Sequence, residues 1–260
     1  MQQWVGRSLN RYKLIELLGE GGMGAVFKAQ DLTLQRDVAI KVMHPHAARR
    51  PGFRERFLRE ARLAARLDHP GIVPVYDFGQ ADEMLYIVMK FIPGANMRAM
   101  LQSLKEQGRW IPLDEAIQLM RQLCQAMDYV HQHGVLHRDL KPSNVMIEPE
   151  PSDTLPYRPV LTDLGLAKLL AEEGLTRAGT SMGTPTYMSP EQAEGRAVDA
   201  RSDVYALGVM LYELAVGRPP FVVRSLTEAL RCHTKEPPPD PRQFRPDLPQ
   251  GLRATILRAL

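Results

Sequence analysis

Residues 18–29 read LGEGGMGAVFKA, and Gly19, Gly21 and Gly24 within them carry the spacing G-x-G-x-x-G. Glycines at that spacing let a backbone close over phosphate groups where a Cβ would collide. Alone the spacing is a weak signal, because glycine is common in tight turns. Two phosphate-binding arrangements fail on context. A dinucleotide fold needs a helix that opens at Gly24 and faces the pyrophosphate, yet Ala25-Val26-Phe27 keeps strand character. Its acidic residue, due about twenty positions on, would be Asp37, which starts a strand instead of ending one. No Gly-Lys-Ser/Thr follows, so a P-loop fails too.

Four more stretches bear chemistry. Val38-Ala39-Ile40-Lys41 places a lysine in a β-branched run, and His137-Arg138-Asp139-Leu140-Lys141-Pro142-Ser143-Asn144 packs a carboxylate, an amine and an amide closely together. Asp163-Leu164-Gly165 and Ser189-Pro190-Glu191 follow. Five motifs in this order and at these separations are not chance: over residues 12–260 the chain resembles a protein kinase. With SPEQA and GRPPF, the wording resembles bacterial members of the eukaryotic-like serine/threonine kinase family.

The resemblance implies an α+β, bilobal protein-kinase fold. A small antiparallel β N-lobe with one main helix (12–89) would follow a lead-in at 1–11. A hinge at 90–93 would join it to a larger, mostly helical C-lobe (94–260). It also implies that the terminal helices, with the arginine that pairs with Glu191, lie beyond Leu260. The activity implied is transfer of the γ-phosphate of ATP to serine or threonine hydroxyls of proteins.

Residue by residue, Leu18, Gly19, Glu20, Gly21, Gly22, Met23, Gly24, Ala25 and Val26 would cover ATP. Ala39, Met89, Lys90, Ile92 and Met146 would contact the nucleotide, with Met89 as gatekeeper. Lys41 would hold the α- and β-phosphates, oriented by Glu60; Glu55 is the alternative. Asp139 would accept the substrate hydroxyl's hydrogen bond, near Thr184. Lys141 would neutralise charge on the γ-phosphate and mark serine/threonine specificity. Asn144 and Asp163 suit Mg²⁺, which takes few protein ligands and bridges phosphates, with Mn²⁺ as the alternative. Residues 163–191 resemble an activation segment, its substrate-facing end at Gly183–Tyr187. There Arg138 would bind a phosphorylated Thr176, Thr180 or Ser181. His137 is read as a core histidine.

Three departures stand out. Leu164 replaces the usual phenylalanine. Four prolines lie in residues 148–159, which reads as a solvated acidic loop outside any sheet or helix. The last stretch, with Leu252, Ile256, Leu257 and Leu260, is expected to form a helix with an exposed apolar face. A nucleotide-binding pseudokinase scaffold is the alternative function, but such proteins lose the lysine, an aspartate or the metal ligand, and all are present. Small-molecule phosphotransferases of this fold lack a segment such as GTPTYMSPE.

The elements that must position these residues begin with a meander: YKLIELL, AVFKAQ and VAIKVM read as strands separated by turns. Residues 52–67 have helical spacing, with Phe53, Phe57, Ala61, Ala64 and Ala65 on one side. Their arginines read as a solvated face, not a nucleic-acid patch. VYDFG and EMLYIVMKF read as a strand pair. After Pro93-Gly94 the character turns helical. Residues 114–133 carry a stripe of Ala116, Ile117, Met120, Leu123, Cys124, Met127 and Val130, and residues 203–216 are apolar almost all round, a buried central helix. Prolines crowd residues 237–249, and GLRATILRAL ends the chain as a short helix.

The 260 residues, 44% hydrophobic and 24% charged, suit a globular protein with a sizeable core. The net charge of +3 is too small to imply a nucleic-acid partner. Two cysteines, Cys124 and Cys232, make no metal or disulfide pattern and suit a reducing compartment. No secretory leader or membrane span is read. The expected location is the cytoplasm, with a membrane tether left to a longer parent chain. The expected partners are protein substrates, ATP, and a second copy met transiently for trans-autophosphorylation.

Overall fold

A computed structural model describes residues 1–21, 24–48, 52–81, 83–150, 155–164 and 185–260. The described residues divide into two compact units, the first holding residues 1–93 and the second residues 94–164 and 185–260.

The first unit is a six-stranded antiparallel sheet of order β1-β2-β3-β4-β6-β5. Its strands are β1 (Ser8–Leu9), β2 (Tyr12–Gly21), β3 (Gly24–Asp31), β4 (Arg36–Met43), β5 (Val75–Ala81) and β6 (Met84–Lys90). The period of two sorts the side chains. Ala25, Phe27, Val38, Ile40, Val42, Tyr86 and Val88 point into one closed core. The register pairs Val26 with Lys41 and Lys41 with Ile87, and Ala39 with Met89. Val26, Ala39, Lys41 and Met89 therefore share the opposite face. Sheet alternation alone separates the packing residues from those expected to meet the nucleotide.

The glycines of the β2–β3 hairpin divide in the same way. A Cβ on Gly24 would lie 2.0 Å from the carbonyl oxygen of Val42, so that glycine lets β3 and β4 pair. Cβ atoms at Gly19 and Gly21 would meet nothing within 4 Å. The helix Phe53–Ala64 buries Phe53, Phe57, Glu60 and Ala61, with the two phenylalanine rings stacked at 6.4 Å.

In the second unit the helix Leu113–Gln132 buries Ala116, Leu119, Met120, Leu123, Ala126, Met127 and Val130. Ile117 and Cys124, expected in that stripe, are exposed instead. The buried ridge runs through Leu119 and Ala126, and turning the helix onto it moves those two residues off its edge. The helix Ala200–Val216 is buried almost throughout, as its composition requires. A Cβ on its Gly208 would sit 2.8 Å from the Cβ of Ala259, so glycine here admits the helix Gln250–Ala259 at close range. That contact corrects the expected apolar face: Ile256 is fully buried, and Leu252 and Leu260 pack on the cluster of Tyr212, Ala215 and Leu248.

The proline-rich stretch is also corrected, since it belongs to a hairpin. Strand β7 (Val145–Pro149) pairs antiparallel with β8 (Tyr157–Leu161), Ile147 opposite Pro159 and Pro149 opposite Tyr157. Ile147 sends its N–H to Ala95 O, so the Ile147–Pro159 pair exchanges no hydrogen bonds and tolerates the missing proline donor. Its acidity is not unanswered either: Arg158 bonds Glu148 at 2.8 Å and Glu150 at 3.0 Å. Leu155 is buried, and the Tyr157 hydroxyl donates to Glu115.

Candidate active site

The second unit gathers Asp139, Lys141 and Asn144 at one point. Lys141 Nζ lies 2.9 and 2.7 Å from the two carboxylate oxygens of Asp139. Asn144 Nδ2 donates to the Asp139 carbonyl at 2.8 Å and to its Oδ2 at 3.1 Å. Three hydrogen bonds from two flanking side chains hold the carboxylate in one orientation while the Asp139 side chain stays 39% exposed. The arrangement therefore presents a positioned, accessible carboxylate.

The backbone beneath it is strained. Arg138 has φ 67° and Asp163 has φ 63°, a left-handed conformation that costs about 1–3 kcal/mol away from glycine. At Arg138 the cost is offset on both sides. Its N–H donates to Asp203 Oδ1 at 2.8 Å, and its carbonyl accepts from Gln192 Nε2 at 2.8 Å. Gln192 is itself fixed by a capping box with Ser189. Asp203 also takes the His137 N–H and His131 Nε2, each at 2.9 Å. Burial pushes the Asp203 carboxyl up, but the His131 bond, the positive potential of His137 and the two backbone donors outweigh it and hold the carboxyl below its ordinary value. Thr162 donates its N–H to Asn144 O at 2.9 Å, tying the end of β8 to that side chain's own backbone. Leu164 is buried, as an apolar replacement there requires.

The first unit carries a second set. Lys41 and Glu60 are both buried, at 7% exposure each, whereas Glu55 on the same helix is exposed. Burial therefore favours Glu60 over Glu55. Glu60 also accepts an ion pair from Arg59 at 3.3 Å. Ala39, Met89 and Ile92 are buried, Val26 and Lys90 half-buried, and Leu18 and Glu20 exposed. Met146 is half-buried on β7. Gly22, Met23, Thr176, Thr180, Ser181 and Thr184 lie outside the described residues.

A family model described as the protein kinase domain matches residues 12–248. The chain belongs to the protein kinase family. The serine/threonine-protein kinase PknB of Mycolicibacterium smegmatis is 43% identical over 257 residues, 96% of this chain and 40% of that protein. The DNA damage-responsive serine/threonine-protein kinase RqkA of Deinococcus radiodurans is 44% identical over 250 residues, 95% of this chain and 36% of that protein. This kinase domain thus spans about two fifths of the length of its curated relatives. A crystal structure of the Mycobacterium tuberculosis PknI kinase domain superposes with TM-score 0.76 at 32% identity, covering 98% of this chain and 90% of that one.

Two groups of the kinase domain escape a reading by motif. Asp203 stands in the first turn of the central helix, just ahead of its apolar run, and an acid in that place was its one sequence signal. The other is a buried group around Tyr187, whose hydroxyl donates to Glu213 and accepts from Arg98 Nη2 at 2.9 Å. Burial, then the Glu213 charge, push the tyrosine well above its usual range. No helix among the described residues is long and apolar enough to cross a membrane.

Proposed function

We propose that this domain is an active serine/threonine kinase that phosphorylates proteins with ATP. The observation that carries the reading is the Asp139 carboxylate, bracketed by Lys141 and Asn144 on a loop pinned by Asp203. Asp139 orients the substrate hydroxyl and takes up its hydrogen bond. Lys141, already 2.7 Å from Asp139, adds positive charge where the transferred group gains negative charge. A pseudokinase is disfavoured because each of Lys41, Glu60, Asp139, Asn144 and Asp163 is in place.

The residues fit the expected cofactors. Open space above Gly19 and Gly21 leaves the hairpin room for phosphates. Asn144 spends its amide nitrogen on Asp139, which leaves its amide oxygen, a hard donor, to serve with Asp163 as the protein's contribution to a Mg²⁺ or Mn²⁺ site. Mg²⁺ keeps few protein ligands, so most of its coordination would come from phosphate oxygens and water. Such a metal supplies charge neutralisation of the phosphates. Lys41 and Glu60 form the phosphate-holding pair, Ala39, Met89, Lys90, Ile92 and Met146 contact the base, and residues 90–93 are the hinge between lobes 12–89 and 94–260. Thr184 supports Asp139. Activation runs through phosphorylation of Thr176, Thr180 or Ser181 by a second copy, read by Arg138, in the cytoplasm.

Incubation with labelled ATP, Mg²⁺ and a threonine peptide, followed by phosphosite mapping, tests the reading. Transfer to serine or threonine, with at least one of the three segment hydroxyls modified, is expected. Binding of ATP without transfer would place the chain among scaffolds.

A further inference from the structure

Within the second unit a cavity of about 440 Å³ lies beside Thr186 and Tyr187. Its floor is apolar, made by Leu101, Leu104, Trp110, Ile111, Leu214 and Val223. The cations around it are Arg98, Lys105, Arg109, Arg218 and Arg224. Glu213 is the one carboxylate in the described lining, and it is buried and already bonded by Tyr187. Among the described residues none of the five cations forms an ion pair. Arg98 instead donates to the Tyr187 hydroxyl, and Arg218 lies over the Phe244 ring at 4.7 Å.

A volume of this size falls within the range of about 300–1,000 Å³ seen for built ligand pockets. Five cations against one buried carboxylate in the described lining repel a basic segment and attract an acidic one. Trp110 is 48% exposed and Val222 58%, so large apolar surface awaits cover beside those charges. Tryptophan and arginine are also the residues that most often dominate binding energy at protein interfaces. Tyr187, in the segment read as substrate-facing, forms part of the wall, so on that reading the cavity adjoins the polypeptide being phosphorylated.

We propose that this cavity docks an acidic stretch of the protein substrate, carboxylates on the arginine rim and an apolar side chain on the Trp110 floor. The proposal rests on the kinase reading and adds to it the chemical class of substrate selected.

The test uses peptides with one threonine and a Glu-Leu-Glu triplet stepped along both flanks, each matched by a Gln-Leu-Gln control. At the best flank position kcat/KM should favour the acidic peptide at least ~5-fold, and raising the salt should erase the preference, since the Debye length shrinks to about 3 Å at 1 M. Double charge reversal, Arg218→Glu with Arg224→Glu, should bring the acidic-to-neutral ratio to one or below. Binding is read separately, without ATP, from the fluorescence of Trp110, one of two tryptophans. The acidic peptide should change it, and Trp110→Phe should abolish the signal.

Equal kcat/KM for both peptides with no fluorescence change overturns the docking site and leaves the kinase reading intact. Fluorescence binding that depends on the arginines, with no phosphate transfer, upholds the site and defeats the kinase reading. A dimer that charge reversal dissolves assigns the cavity to a second copy and overturns the proposal.

Discussion

Asp203 accepts the backbone N–H of Arg138 at 2.8 Å across 65 residues of sequence. The residue that precedes the proposed base is thereby held in a left-handed conformation by an acid at the start of the central helix. Asp203→Asn replaces one acceptor oxygen with an NH₂ that faces donors. Loss of about 3 kcal/mol is expected, since the neighbouring polar groups stay buried without their charged partner. Activity should fall with it, in kcat more than in the KM for ATP. The pH dependence has a definite sign. A carboxyl held below its ordinary 3.8 contributes stability above that value and loses it as pH falls through the lower folded-state pKa. Denaturant unfolding from pH 7 to pH 2 should show this acid-limb loss in the wild type and its absence in the variant.

Asp139→Asn and Asp163→Asn should each cost at least ~10²–10³ in rate, the range for a positioned catalytic group. Asp139→Asn should leave ATP affinity within a few-fold, because that residue orients the acceptor hydroxyl and not the nucleotide. Steady-state phosphate incorporation with ATP-binding titrations checks both. Near-wild-type incorporation in either variant would remove the assigned roles.

Legibility in the sequence followed the range of the interaction. Lys41, Asp139, Lys141 and Asn144 stand in short runs whose spacing is itself the signal, and the structure joins the last three within hydrogen-bonding distance. The meander was legible because alternation is local. Asp203, Gln192 and Tyr187 act on partners 54 to 89 residues away, and no local period records such a contact. The β7–β8 hairpin was missed for another reason. Four prolines argue against a ladder only where the missing donor faces the partner strand, and at Pro159 it does not. Ile117 and Cys124 fell on the wrong side because a stripe read by spacing leaves its own width open.

The hairpin yields its own prediction. Leu155 is buried to 2% exposure, so Leu155→Ala should cost about 2–3 kcal/mol through lost burial and the cavity left behind. Removing residues 150–157 deletes that anchor together with Tyr157, whose hydroxyl bonds Glu115. The deletion should destabilise by more than the point substitution and lower peptide phosphorylation, because β7 starts directly after Asn144. Unfolding curves and rates unchanged by the deletion would restore the picture of a dispensable loop.

Glu191 has a partner within this chain: the hydroxyl of the buried Ser202 donates to its Oε1. Glu191→Gln should therefore lose about 1 kcal/mol. Ser202→Ala should lose about 1 kcal/mol, because the half-buried carboxylate is left without its donor. The two losses should fall short of additive in the double variant, as they remove one shared bond. Additive losses in denaturant unfolding would show that the two side chains act separately.

His233 links the helix Leu226–Lys235 to the turn Pro185–Tyr187. Its Nε2 lies 3.1 Å from the Pro185 carbonyl, which can only accept, so Nε2 carries the proton and donates. Nδ1, 2.7 Å from the Tyr205 hydroxyl, then accepts. Burial pushes the imidazole below its ordinary 6.5, against the opposing pull of the Pro185 carbonyl. A histidine with a lowered folded-state pKa contributes its full stability above 6.5, and that contribution is lost as pH falls through the folded value, because the unfolded chain binds the proton first. The wild type should therefore weaken between pH 7 and pH 5 more than His233→Gln, which keeps a donor and an acceptor but cannot titrate. His233→Phe leaves a carbonyl and a hydroxyl unpaired in a buried place and should cost about 1–3 kcal/mol at every pH. With the Pro185 turn released, the KM for a peptide should rise in His233→Phe while the KM for ATP holds, and His233→Gln should recover part of the difference. Superimposable pH–stability curves for wild type and His233→Gln would mean that the ring does not sit neutral between Tyr205 and Pro185.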